Sequence, residues 1–327
     1  MPKVTGVRWS QRRRQGRGQK PGLISDQRGS VLILFAIAMV ALTGFAAISL
    51  DAGWMYATHA RLSNIADAAA LAGADYLPDD PGMAYAVALD CAVQNGIAAA
   101  DVQVSITENN TRIDVHLQGP AELRFASVGG SKKVTLPADS AGAIYVVTGV
   151  VGAVPFGVES APFVYGREYA IKLGPNGTSD GDATSYSGNF HAMALATSGA
   201  SQYRSFVETG YPGLLTVGQS IDTEPGNMAG PTSAGVQTRM NETAGDTFGS
   251  HPVNSARVML LPIVDSFDVN GRKSVTIRGF AAFFLEGFDS SGSGTVYGRF
   301  MRYHTSGQVS AYRPDLDYGV RMAKLVR

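Results

Sequence analysis

The hydrophobic pattern of this chain is dominated by a run near its start, Ser30 to Leu50 (SVLILFAIAMVALTGFAAISL), in which no residue carries a charge. Its only polar side chains are Ser30, Thr43 and Ser49. At about 1.5 Å of rise per helical residue, a run of this length spans the roughly 30 Å hydrocarbon core of a bilayer. Backbone N–H and C=O groups in lipid must be paired within the segment, which predicts a transmembrane helix over 30–50. Gly44 is compatible with it, because glycine is common in membrane helices. Past Leu50 the pattern changes without stopping. Between Asp51 and Leu77, the positions Leu62, Ile65/Ala66, Ala69 and Ala72 or Gly73 recur at helical spacing, and no proline intervenes before Pro78. The helix is therefore expected to extend over 51–77, its outer half faced with alanine so that another element can approach closely.

Asp79-Asp80-Pro81-Gly82 breaks that helix and places carboxylates to cap the next one. Met83 to Gln94 reads as a short helix stopped by Asn95-Gly96. Val102, Val104 and Ile106 alternate, as do Ile113, Val115 and Leu117, and the intervening Glu108-Asn109-Asn110 signals a hairpin. Leu123 to Val128 reads as another short helix and Ile144 to Val147 as a returning strand. From Phe156 on, apolar runs alternate with Gly, Asn, Asp and Pro turns: Tyr169–Leu173, Leu214–Val217, Arg257–Ile263, Ser274–Phe284 and Thr295–Tyr303. Such spacing predicts a mainly antiparallel all-β domain, sandwich or barrel. Phe280 to Leu285 is apolar on both faces, as a central strand would be. The expected fold class is α+β, with an arm at 1–29, the transmembrane helix at 30–50, an α+β module at 51–150 and a β-rich domain at 151–327.

Charge adds a direction. The chain has 27 basic and 27 acidic residues, but its first 50 positions hold eight basic residues against Asp26 alone. Lysine and arginine are retained on the cytoplasmic side, so the arm is expected inside and residues 51–327 outside the membrane. Trp54 and Tyr56 follow the apolar run, where aromatic rings suit the headgroup level. The polar, basic arm has no apolar period and is expected to be disordered. A cleaved secretory signal would have a shorter apolar region. The Arg12-Arg13-Arg14 run lies too far from the apolar stretch for a twin-arginine signal. The exported part keeps 19 basic and 26 acidic residues, a balance that disfavours nucleic acid as a partner.

The chemistry on offer is sparse. Cys91 is the only cysteine, which excludes an internal disulfide. Asp289-Ser290-Ser291-Gly292-Ser293 has the D-x-S-x-S form of a metal-ion adhesion motif, but its context reads as a polar hairpin tip. Gly177-Thr178-Ser179-Asp180-Gly181 has the nucleophile-elbow form, yet a polar loop follows where a helix is required. Asn176, Asp180 and Asp182 lack the spacing of a calcium loop. His191, Asp222 and Glu224 are a conceivable cluster that no spacing requires. No residue is assigned as catalytic, cofactor-binding or metal-ligating, and no cofactor is expected.

The stretch Arg28 to Ala74 carries Arg28-Gly29, Asp51-x-Gly53, Tyr56, Arg61-Leu62 and Asn64-x-x-Asp67-Ala68-Ala69-Ala70-Leu71-Ala72. In these residues it resembles the N-terminal module of the TadE/TadG-like proteins of Flp (tight adherence) pilus assembly. The resemblance covers about 50 residues. It implies a membrane-anchored structural or accessory protein, not an enzyme, held in the lipid bilayer through residues 30–50 and contacting other Tad/Flp pilus-assembly proteins. Processed pilin-like members carry a glutamate five residues after a cleavage glycine; counted from Gly29, that position here is Leu34. An unprocessed, TadG-like protein is therefore expected. A processed pilin-like subunit and a membrane-tethered exported hydrolase are the alternatives.

Overall fold

The computed structural model describes residues 27–125, 133–172, 191–267, 273–289 and 294–326. The basic arm up to residue 26 thus lies outside the described residues. The chain divides into two units, one of residues 1–56 and 122–134, the other of residues 57–121 and 135–327.

Helix α1 (Gln27–Ala74) is uninterrupted, as the pattern predicts, but stops short of Leu77. Within the first unit its side chains from Val31 to Leu50 are exposed, save half-buried Ala47. The hydroxyls there are satisfied inside the helix: Thr43 Oγ1 donates to the Met39 carbonyl and Ser49 Oγ to that of Phe45, each at 2.8 Å. That is the arrangement a medium without water demands.

In the second unit the end of α1 packs with α2 (Pro81–Gln94) on a sheet. Asp80 caps α2 by accepting the Met83 amide at 2.9 Å, with Pro81 in the first turn. The sheet runs β1 (Val102–Thr107), β2 (Arg112–Glu122), β3 (Lys133–Val150), β14 (Val320–Val326), β12 (Tyr303–His304). β13 (Gln308–Ala311) and β7 (Leu215–Thr216) also pair with β3. The β1–β2 hairpin turns where predicted, Thr107 opposite Arg112, with Glu108, Asn109 and Asn110 at positive φ. Ala66, Ala69, Ala70 and Ala74 of α1 and Ala84, Ala88 and Ala92 of α2 are wholly buried. Methyl-sized side chains let backbones close up: a Cβ added at Gly142 of β3 would stand 2.6 Å from the Ala70 carbonyl oxygen. Gly142→Val is expected to push α1 off the sheet and cost about 1–3 kcal/mol, read as a lower urea midpoint for unfolding of the detergent-solubilised protein.

A second sheet has the order β4 (Val158–Glu159), β9 (Val258–Val264), β10 (Ser274–Phe288), β11 (Val296–Met301), β5 (Glu168–Lys172). β8 (Ser220–Thr223) pairs with the start of β10, and β6 (Met193–Ala194) with β8. Both sheets are mostly antiparallel and neither order closes on itself among the described residues, which suits a sandwich and not a barrel. β10 is central, and Phe280 to Leu285 are fully buried as their two-sided apolarity predicts.

Two helices lie among strands that the pattern reads as all-β. They are α3 (Ala200–Thr209), burying Tyr203, Phe206 and Val207, and α4 (Ala229–Glu242), burying Thr232, Gly235, Val236 and Arg239. α3 does carry a helical period, Tyr203, Phe206 and Val207 lying on one face, but over only ten residues; in α4 the low apolar content hides it. The α3–α4 contact is as tight as that of α1: a Cβ at Gly235 would meet Val207 at 2.6 Å. Arg239 is buried against them and donates to the carbonyls of Val207 and Ala256. The short helix expected over Leu123–Val128 is corrected: β2 runs on to Glu122 and 123–125 are non-helical, the Arg124 and Phe125 amides being held by the Asp51 carboxylate, and 126–128 lie outside the described residues.

The first sheet draws strands from both sides of residue 150. β14 pairs antiparallel with β3, Arg321 opposite Val146 and Val326 opposite Ala141. A buried ionic network surrounds this last strand. Arg321 Nη2 donates to Asp317 Oδ2 at 2.6 Å and Nε to both Asp317 oxygens at 3.0 Å. Nη1 donates to Asp79 and to the Leu77 carbonyl, and Arg302 also reaches Asp79, at 2.9 Å. Burial disfavours the Arg321 charge, but the hydrogen bonds it donates to both carboxylates outweigh that and leave its pKa above the ordinary value. The Tyr312 hydroxyl donates to Asp317 at 2.9 Å. Burial first, then the Asp317 charge, pushes that phenol up to about 12 from 10.0. The folded state therefore holds its proton where the unfolded chain has begun to lose it. Stability from this group is complete below pH 10, falls between 10 and about 12, and is gone above. Tyr312→Phe is expected to flatten the alkaline limb of a stability-versus-pH curve over that window.

Candidate functional site

Several residues of the Arg28–Ala74 stretch have visible work in the fold. Asp51, in the first unit, is buried although it follows the exposed apolar run directly. Its Oδ1 accepts the Arg124 amide at 2.9 Å and that of Phe125 at 3.2 Å. The Arg124 guanidinium lies 5.0 Å from the centre of the Trp54 ring. In the second unit, Arg61 Nη2 donates to the Asn95 carbonyl at 3.0 Å, placing a cation at the C-terminal end of α2 where the helix dipole favours one. Leu62 packs under Gly119, and Asp67 accepts the Ser140 hydroxyl of β3 at 2.6 Å. Tyr56 stays exposed, and a Cβ at Gly53 would meet nothing within 4 Å.

A cavity of about 770 Å³ opens on the charged strands of the first sheet. Arg112 forks onto Asp114 at 2.9 Å, and His116 Nδ1 meets Asp139 at 2.6 Å. The other His116 nitrogen faces the Gln118 amide at 3.2 Å. A nucleophilic triad needs a hydroxyl or thiol at that second nitrogen. Ser105, which also lines the cavity, is instead the cross-strand partner of Asp114. The arrangement supplies an exposed surface of paired charges suited to polar contacts.

The residues singled out by pattern are scattered. Asn176, Gly177–Gly181 and Asp182 lie outside the described residues, as do Ser290–Ser293. Asp289 donates its amide to the Thr295 carbonyl at 2.8 Å, at the base of the β10–β11 connection. Pairing of Met193 with Thr223 does bring the His191 and Glu224 segments side by side, and the Glu224 amide donates to the Ala192 carbonyl at 2.8 Å. The His191 and Glu224 side chains are both buried. The His191 ring is buried and stacked 4.6 Å from the centre of Phe267, whereas exposed Asp222 accepts the Ser274 hydroxyl at 2.6 Å. Among the described residues, no three His, Cys, Asp or Glu side chains gather closely enough to hold a metal ion. Half-buried Cys91 packs against the alanine core of α1 and α2. Sequence reasoning missed the reach of Asp51 to residues 124–125 and the Arg321 network, for which no local signal exists.

These features define a class: a chain with one N-terminal helix long and apolar enough to cross a membrane, followed by a β-rich fold. Residues 29–75 match the Tad family, described as "Putative Flp pilus-assembly TadE/G-like". The chain thus carries a TadE/G-like Flp pilus-assembly domain in α1 and the turn after it, and the match stops there. No curated protein and no solved structure matches the chain.

Proposed function

We propose that this is a TadG-like, single-pass membrane protein serving as a structural or accessory component of Flp (Tad) pilus assembly. The observation that carries the reading is the family match on a helix whose apolar side chains, Val31 through Leu50, lie open along one continuous surface. An 18-residue window of it has a mean hydropathy of 2.7, with none of that window buried. In water such a surface would drive association; in a bilayer it is matched by lipid. The eight basic residues before the apolar run support an N-terminus in the cytoplasm and residues 51–327 beyond the membrane. In this reading 1–29 is a cytoplasmic arm, 30–50 the anchor, and 51–150 and 151–327 supply the extracytoplasmic surfaces. The charged cavity around Arg112 and His116 offers one surface for partner proteins, and exposed Tyr56 of the first unit offers another.

Affinity capture of the C-terminally tagged protein from its native membrane, after mild crosslinking, tests the role. Recovery of other pilus-assembly proteins is expected; their consistent absence would remove the assignment. Protease added to intact spheroplasts should digest the bulk of the chain, and full protection would reverse the orientation.

A further inference from the structure

We infer that Trp54, Arg124 and Phe125 form a second contact with the membrane, an aromatic and cationic patch seated among glycerophospholipid headgroups where α1 leaves the hydrocarbon. The inference rests on reading residues 30–50 as the anchor. All of its residues belong to the first unit. The apolar run ends at Leu50, and the next residue, Asp51, is buried by chain that returns more than 70 residues later. Three hydrogen bonds hold that return in place, from the Arg124 amide to Oδ1 and from the Phe125 amide to both carboxylate oxygens. A carboxylate facing lipid phosphates would be repelled; this one is turned onto backbone donors instead.

Fixed in this way, Phe125 remains 46% exposed, and so does Trp54, over which the Arg124 guanidinium lies. Two large rings and a cation, left open within one helical turn of the apolar run, match the interfacial layer in chemistry. Aromatic rings rest at headgroup level, and an arginine beside them lies near the phosphates. The patch is also continuous with the anchor, since Ile48 and Leu50 just below it are exposed as well. That continuity favours lipid over a protein partner as the occupant.

The test uses the full-length chain with Cys91→Ala, reconstituted in phosphatidylcholine–phosphatidylglycerol vesicles. Single cysteines introduced as Phe125→Cys, Val40→Cys or Val253→Cys are labelled with nitrobenzoxadiazole. Quenching is then measured with lipids carrying a nitroxide near the headgroup or deep in the acyl chain. The label at 125 should be quenched by the shallow nitroxide several-fold more than the label at exposed position 253, and Asp51→Ala should abolish that excess without changing the deep quenching at position 40. Equal quenching at 125 and 253, with position 40 still deeply quenched, overturns the inference and leaves the anchor standing. An Asp51→Ala chain that keeps the excess overturns the latch. Loss of deep quenching at position 40 overturns the anchor reading itself.

Discussion

Replacing Arg321 by alanine is expected to destabilise the second unit by about 3–5 kcal/mol, because removing one member of a buried ionic network strands the others without their counter-charge. The Arg321 and Asp317 side chains are each only 6% exposed, so the loss falls chiefly on Asp317, whereas Asp79 is 28% exposed and open to water. Asp317 would keep the Tyr312 hydroxyl and the Gly319 amide but lose its counter-charge, and Asp79 would keep Arg302 alone. Arg321→Lys retains a positive charge but cannot fork onto two carboxylates, and an intermediate loss is expected from it. Urea unfolding of the solubilised protein, followed by far-ultraviolet circular dichroism, measures both. A loss under about 0.5 kcal/mol, the scale of an ordinary surface substitution, would show that the network holds nothing together.

The second large effect is on membrane retention. Aspartate in place of both Val40 and Gly44 puts two carboxyl groups one turn apart at the centre of the apolar run, each disfavoured there by about 2.5–3.5 kcal/mol. Both positions are open, Val40 at 73% exposure and Gly44 with nothing near the site of a Cβ, so the described residues offer no partner for the new charges. The doubly substituted chain is expected to move from the membrane pellet to the supernatant on carbonate washing, while the parent stays in the pellet. Unchanged retention would mean that the chain is held by something other than this helix. This result and the loss from Arg321→Ala should be independent, since one acts on the surroundings of the apolar helix and the other on packing around β14.

Much of this architecture is local and therefore readable. The apolar run, the Asp80-Pro81 helix start, the Asn95-Gly96 stop and the Glu108-Asn109-Asn110 turn each depend on neighbours a few residues away, so they show in the order of residues alone. The alanine face of α1 was legible for the same reason: Leu62, Ile65, Ala66 and Ala69 repeat at helical spacing, and the structure settles the alternative at the next turn as buried Gly73 with half-exposed Ala72. α3 is short, and its face of Tyr203, Phe206 and Val207 stands alone between β runs, whereas α4 is mostly polar, and its small Gly235 marks a close contact only once the opposing helix is in place.

That a bilayer-length helix precedes a small helix-and-hairpin region and a β-rich remainder follows from residue order, because hydrophobic period and turn chemistry act over single turns and strands. Three features emerge only once the chain is packed: Asp51 receives amides from residues 124 and 125, Arg321 reaches back 242 residues to Asp79, and the last strand pairs with β3 in the first sheet. A charged residue carries no local mark of whether a distant segment will bury it. Its partner is chosen by the packing of whole elements, at separations where the chain keeps no period to read.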